Sequence, residues 1–490
     1  MKNFLFVFFV AIFFCIELNA QTKPAPALLK NISITLTPLK NCKVYLGSYY
    51  GKTQIIADSA QLDATSKGAF KGKTKLTPGV YFVVSPNYTI QFELLIGNNQ
   101  HFSIKADTTQ KEKAVITGSA DNDLFKQYSA FTTERGQKLN QLSQQLALAK
   151  HKTDSSSIHK QIAVLNNEIQ LYRNKIIREN KSTLLATLLA AMRRPEVPAI
   201  PIVNGKADST YPYRFVKEHY WDDVAFNDNS LLHTPFFEPK LDDYYKYYVS
   251  PEPDSIIKEV NYMLLFARTG KEIYPYLLTK FTNKYMNPEY MGQDKVFLFL
   301  FENFYAKGDT IYLTAAGRKT VTDRAYSMMA NQVGNPAAPL DLTDTTGKIN
   351  SLYNLKGAFT FVVFWDPTCG HCKEELPRID SIYKAKWKAL DVKLYSVNIH
   401  ENLMKELKEF VNTKHFSTDW VHVYQSNAAL IAEQQAGKPN YRQLYDVSKT
   451  PTMYLLDNEK RIIGKQLSIE QFDDLIAAKL KLKNASGGVK

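Results

Sequence analysis

The sequence predicts a multidomain chain of three successive parts: an N-terminal β-sandwich, a central α-helical region and a C-terminal α/β domain. Three observations carry this. Apolar residues alternate with polar ones early in the chain, recur every three to four residues in the middle, and form continuous runs between helical patterns at the end. The length, 490 residues, exceeds one ordinary domain of about 150 residues. With 44% hydrophobic and 22% charged residues, the composition is that of folded protein and excludes general disorder. Four cysteines are too few for a disulfide-stapled scaffold, so apolar cores must hold each part.

The first residues read as a targeting segment. Lys2 precedes an apolar run from Phe4 to Ile16, then Leu18-Asn19-Ala20, with a small residue where a signal peptidase cuts. The run is shorter than the roughly 20 residues a membrane span needs. Residues 1–20 are therefore expected to be a signal peptide. The mature chain is expected in the periplasm or cell envelope, with no membrane span after signal removal. Cleavage removes Cys15 and leaves Cys42, Cys369 and Cys372.

Residues 28–118 read as a small antiparallel sandwich. Ile32, Ile34 and Leu36 alternate with polar residues; Val44–Leu46, Tyr81–Val84, Ile90–Ile96 and Phe102–Ile104 follow, separated by turn signals such as Pro78-Gly79. Cys42 beside a strand reads as a small, inert core thiol. Residues 119–330 read as helical. Ile158, Ile162, Leu165, Ile169, Tyr172 and Ile176 form one stripe, and Leu139, Leu142 and Leu146 begin another. The polar stretch Lys152–Ser157 is expected to turn between the two helices of a hairpin and cap the second. Ser182 is expected to cap a third helix through Met192, ended before Pro195. The aromatics from Tyr213 to Tyr248 are expected at helix interfaces.

Residues 333–484 alternate strand and helix. Phe359–Trp365 is a buried-strand run, followed by Val392–Ile399, Trp420–Tyr424 and Thr452–Leu456. After Trp365 comes Asp366-Pro367-Thr368-Cys369-Gly370-His371-Cys372, with a helix beginning near Cys369 and Leu376, Ile379 and Tyr383 on one face. A Cys-x-x-Cys at a helix start suits redox chemistry. Unpaired N–H groups and the helix dipole favour an anionic sulfur there, and the two-residue spacing lets the second sulfur attack the first. A zinc site would need further Cys or His ligands, and only Cys42 is left. The histidines form no ligand cluster, so no metal is expected.

The run FWDPTCGHCKEELP, the downstream Thr450-Pro451 and the opening GNPAAPLDLTDTTGKINSLYNLKG resemble the thioredoxin fold, and within it the exported TlpA/ResA-like thiol–disulfide oxidoreductases. The resemblance covers about the last 150 residues. It implies Cys369 as the attacking thiolate and Cys372 as the resolving thiol, the two forming the redox disulfide. It also implies that Pro451 is cis and faces them, and that Thr450 offers its backbone to an extended substrate. Trp365 matches a position beneath the motif and is counted with the substrate-contacting residues. His371 is expected to favour the thiolate through its imidazole, and Glu375 to influence proton transfer. The Gly-His dipeptide suits an oxidising pair, near −180 mV in protein disulfide isomerase, whereas the resembled family is assigned reducing roles. The direction of electron flow is left open.

The function expected is an exported oxidoreductase that needs no organic cofactor. Its partners are protein thiol or disulfide substrates and a membrane or soluble redox partner. The alternative is an envelope ligand- or partner-binding protein whose front domains bind and whose redox domain is secondary. The net charge of +13 is spread along the chain, which together with export argues against nucleic acid.

Overall fold

The computed structural model describes residues 28–148 and 152–486. The expected signal peptide, with Cys15, lies outside them. The described residues gather into two compact units, one comprising residues up to Arg193 together with Ser230–Glu238, the other Arg194–Asn229 and Pro239 onward. The helices expected as one region are thus divided between the units.

The first unit begins with β1 (Lys30–Thr37), β2 (Lys43–Tyr50), β3 (Thr53–Gln61), β4 (Lys67–Gly72), β5 (Gly79–Val84), β6 (Ile90–Ile96), β7 (His101–Asp107) and β8 (Val115–Thr117). They form two four-stranded sheets, ordered β4-β1-β7-β8 and β3-β2-β5-β6. The sequence pointed to a small antiparallel sandwich, and the two packed sheets are mostly antiparallel. The exception is β1, which lies inside its sheet and pairs in parallel with β7, Ile32 opposite Phe102. The alternation on β1 has its expected cause: Ile32, Ile34 and Leu36 are buried in the core between the sheets, with Val44, Phe70, Val83 and Leu94. Cys42 packs half-buried at that core's edge. β3 and β4 escaped the sequence reading because both are edge strands, and β3 is largely exposed.

β5 is buried on both faces, since its second face is covered by α1 (Ala120–Leu148), α2 (Lys152–Glu179) and α3 (Leu184–Met192). Val80 and Leu95 of the sheet pack with Ile176, Leu185 and Leu189. At the start of α1 the Asn122 side chain behaves like a strand: its amide donates to Leu95 O at 2.7 Å and its oxygen accepts from Leu95 N–H at 2.8 Å. The expected stripe on α2 is its least exposed face, and Tyr172 stacks on Phe131 of α1 at 4.1 Å. Two local expectations are corrected. Lys152–Ser157 belongs to α2, since Ser and Asp suit a helix's first turn as well as a loop. The cap of α3 is Thr183, one residue beyond Ser182, whose hydroxyl accepts from Ala186 N–H.

The second unit contains a short hairpin, β9 (Ile202–Val203) and β10 (Lys206–Ala207), then α4 (Tyr211–His219), α5 (Phe237–Tyr247, which starts in the first unit), α6 (Pro253–Ala267), α7 (Ile273–Met286), α8 (Asp294–Asn303) and α9 (Ala315–Ala330). Tyr220, Trp221 and Tyr244 are buried as helix-interface residues, while Tyr213 and Tyr247 are exposed. The α/β part follows: β11 (Asp341–Asp344), β12 (Ile349–Ser351), β13 (Phe359–Trp365), α10 (Gly370–Ile382), β14 (Val392–Asn398), α11 (Met404–Thr413), β15 (Trp420–Tyr424), α12 (Asn427–Gln435), α13 (Tyr441–Leu444), β16 (Thr452–Asp457), β17 (Ile462–Lys465) and α14 (Ile469–Ser486).

Its seven strands run in the order β12-β11-β15-β14-β13-β16-β17. β13, β14 and β15 are parallel neighbours, and β16 returns antiparallel on the other side of β13. Every residue of β13 is buried because both sheet faces are covered. Phe361, Val363 and Trp365 meet α10 and α14 through Leu376, Ile379, Phe472 and Ile476. Val362 and Phe364 meet Tyr395, Tyr441, Tyr445 and Tyr454 on the opposite face. Among the described residues, no helix is long and apolar enough to cross a membrane.

Candidate active site

β13 ends at Trp365 and α10 begins at Gly370, so the intervening loop lies at the C-terminal edge of parallel strands, where such sheets place reactive groups. Asp366 shapes that loop: its carboxylate accepts from Thr368 N–H at 2.7 Å and Thr368 Oγ1–H at 2.6 Å. Cys369 is the residue capping α10, in an extended conformation with φ −71° and ψ 125°. It therefore stands at the helix end, where the first N–H groups have no partner within the helix.

The two cysteines are chemically unlike. Cys369 is half-buried, while Cys372 is fully buried; both are free thiols. Burial pushes the Cys369 thiol up, but hydrogen bonds from the Cys372 and His371 backbones and from Thr450 and Cys372 together hold it below its ordinary value. Burial pushes the Cys372 thiol up to about 12, and Cys369 adds to that rise. A thiolate forms readily at the first position and a thiol persists at the second. The Cys369 S–H donates to Thr450 O across 3.6 Å, and the Thr450–Pro451 peptide is cis.

The structure thus brings Cys369, Cys372, Thr450 and Pro451 together. The other sequence candidates stand apart. Trp365, counted with the substrate-contacting residues, is 0% exposed and cannot touch a substrate. Its indole N–H donates to Ser396 Oγ at 2.7 Å, and it packs in the same apolar cluster as both cysteines. The His371 side chain is 86% exposed and 3.9 Å from Glu374, and only its backbone, not its imidazole, is among the causes that lower the Cys369 thiol. Glu375 accepts from Arg378 at 2.6 Å, and it is absent from the groups that act on either thiol. His400 was missed by sequence reasoning. It lies 3.5 Å from the Asp366 carboxylate, because Trp365 pairs with Asn398 in the sheet and His400 follows two residues on. The only signal was strand order, which one sequence does not display.

Residues 333–464 match the AhpC/TSA family. Ahead of them, residues 31–125 and 145–308 match domains of unknown function, DUF4369 and DUF5106. The thiol–disulfide oxidoreductase ResA of Bacillus subtilis is 28% identical over 159 residues, spanning 32% of this chain and 75% of that protein. The chain is a TlpA/ResA-like thioredoxin-fold protein. ResA of Bacillus cereus is 26% identical over 134 residues, 27% of this chain and 69% of its own. Among solved structures, a thioredoxin-like protein from Bacteroides caccae is 21% identical, with 58% of this chain and 98% of that one covered and a TM-score of 0.45. A domain of a possible thiol–disulfide isomerase from Cytophaga hutchinsonii is 31% identical over 31% of this chain and 96% of that one, with a TM-score of 0.27. The TlpA/ResA-like part is the C-terminal α/β layer, an oxidoreductase domain, and the sandwich and helical parts are additions to it.

Proposed function

We propose that this TlpA/ResA-like chain is an exported thiol–disulfide oxidoreductase that exchanges disulfides with protein substrates in the periplasm or cell envelope. Cys369 and Cys372 are its redox pair. The observation that carries the reading is the asymmetry of the thiols, one acidified at a helix end and partly exposed, the other buried and held protonated. In the reducing direction, the Cys369 thiolate attacks a substrate disulfide. One new S–S bond forms, the substrate S–S bond breaks, and one substrate sulfur leaves as a thiolate that takes up a proton. Cys372 then gives up its proton and attacks Cys369, releasing the second substrate sulfur. Two electrons pass from the dithiol to the substrate disulfide, and the reverse sequence oxidises a substrate dithiol. Thr450 offers its backbone to an extended substrate beside Pro451, and Trp365 supports the motif from below. His371 acts through its backbone N–H, and Glu375 through its ion pair on α10.

The test is a trap. Cys372→Ser leaves the mixed disulfide without a resolving thiol, so substrates should accumulate covalently on Cys369 and be released by dithiothreitol. Recovery of no adduct that disappears in Cys369→Ser/Cys372→Ser would defeat the proposal.

A further inference from the structure

Beside the redox pair lies a pocket of about 410 Å³ that the exchange chemistry does not use. One wall is Pro451, Lys449 and Gln466, from the loops before β16 and after β17; the other is Asn287 and Pro288, between α7 and α8, and Arg324 of α9. The near wall is one residue from Thr450, whose carbonyl oxygen is 3.6 Å from Cys369 Sγ. A strand laid along Thr450 with its sulfur at Cys369 carries a neighbouring residue about 3.3 Å further on, over the pocket.

The pocket's charge is one-sided. Arg324 is ion-paired with Asp446, which also lines the pocket, so those two cancel. Lys449 is exposed, and its ammonium has no ion-pair partner among the described residues. Asn287 and Gln466 contribute neutral amides. The loops of the near wall are fixed to the far wall. Lys465, just before Gln466, donates to Asp294 of α8 at 2.6 Å and to Asn331 after α9 at 2.6 Å, and Asp446 is held by Arg324.

We propose that this pocket is a side-chain subsite for the protein substrate, that it prefers an acidic residue next to the reacting cysteine, and that helices α7–α9 thereby select substrates for the redox pair. The inference rests on the oxidoreductase reading above. It assigns the helical layer a part in recognition at the catalytic edge.

The test uses the full-length reduced chain in single turnover. The substrates are symmetrical disulfide dimers of one short peptide with Glu, Gln or Lys flanking the cysteine, and hydroxyethyl disulfide serves as a small reference. Each rate constant is divided by that of the same disulfide with dithiothreitol, which removes the peptide's intrinsic reactivity. Wild type should favour Glu over Lys by about fivefold, the upper end of an exposed charge pair, and added salt should reduce the preference. Lys449→Glu should reverse the order, a ratio that does not depend on how much of the variant is active. Asn287→Trp should slow the peptide dimers more than hydroxyethyl disulfide. Equal normalised rates in wild type, a preference unchanged by Lys449→Glu, or equal slowing of large and small disulfides by Asn287→Trp would overturn the subsite. Failure of wild type to reduce any disulfide, hydroxyethyl disulfide included, would defeat the oxidoreductase reading and the subsite with it.

Discussion

Replacing Lys465 with Met tests how firmly the helical layer is joined to the α/β sheet. The Lys465 side chain is 5% exposed and that of its partner Asp294 3%. Its ammonium donates to Asp294 Oδ2 at 2.6 Å, Asn331 Oδ1 at 2.6 Å and Asn331 O at 2.9 Å. Methionine keeps most of the volume, so the loss is electrostatic. Asp294 is left with Gln332 alone at 2.5 Å, and its other oxygen already lacks a partner among the described residues. Removing one member of a buried pair costs about 3–5 kcal/mol. At about 2–4 °C per kcal/mol for a domain of this size, Tm should fall by about 6–20 °C. The assay is thermal unfolding followed by tryptophan fluorescence. All four tryptophans, Trp221, Trp365, Trp387 and Trp420, lie in the second unit, so the signal reports on it alone. Asp294→Leu/Lys465→Met removes both charges and should recover most of the loss. A fall below about 2 °C for the single variant, or a double variant no more stable than it, would refute the reasoning.

Two further outcomes follow from geometry already described. In a Cys42→Ser background, alkylation of Cys369 by iodoacetamide should rise through a midpoint below the free-thiol value of about 8.5. The sign follows from a lowered pKa, which keeps the thiolate present at lower pH; a midpoint at or above 8.5 contradicts it, and Cys372, pushed up to about 12, should stay unmodified. Asn122→Ala strands a buried N–H and carbonyl of Leu95, a loss of about 2–4 kcal/mol. It should speed hydrogen exchange at the Leu95 amide by at least tenfold, whereas unchanged exchange would show that water replaces the side chain.

The redox loop was legible because its signals are local. A seven-residue strand apolar at all but Thr360, two cysteines three apart and a Thr-Pro before another strand each need only neighbouring residues. What stayed hidden depends on distant pairing. Lys465 and Asp294 are 171 residues apart, and neither flank advertises a buried ion pair. Arg324 and Asp446 are likewise far apart, so the pocket's far wall has no sequence signature. A boundary drawn near residue 333 from the change in pattern cuts between Asn331 and Lys465, which are hydrogen-bonded. His371 misled in the opposite direction. Its place inside the motif suggested an imidazole acting on sulfur, but on this first turn of α10 the Cys372 side chain takes the buried face and the His371 side chain is left 86% exposed.

The interior position of β1 sets a timetable for assembly. The strand opens the described chain, yet its parallel neighbour β7 arrives 70 residues later, Ile32 awaiting Phe102. At synthesis rates of about 5–20 residues per second, that gap lasts about 4–14 s. Until then one edge of β1 is unpaired, and Ile32, Ile34 and Leu36 have an incomplete core against which to pack. Synthesis stalled between β4 and β7 would leave a sticky apolar edge at the front of the chain. The sandwich is therefore a segment that a holding chaperone has reason to protect, and slowing translation across residues 72–101 should increase its capture by one.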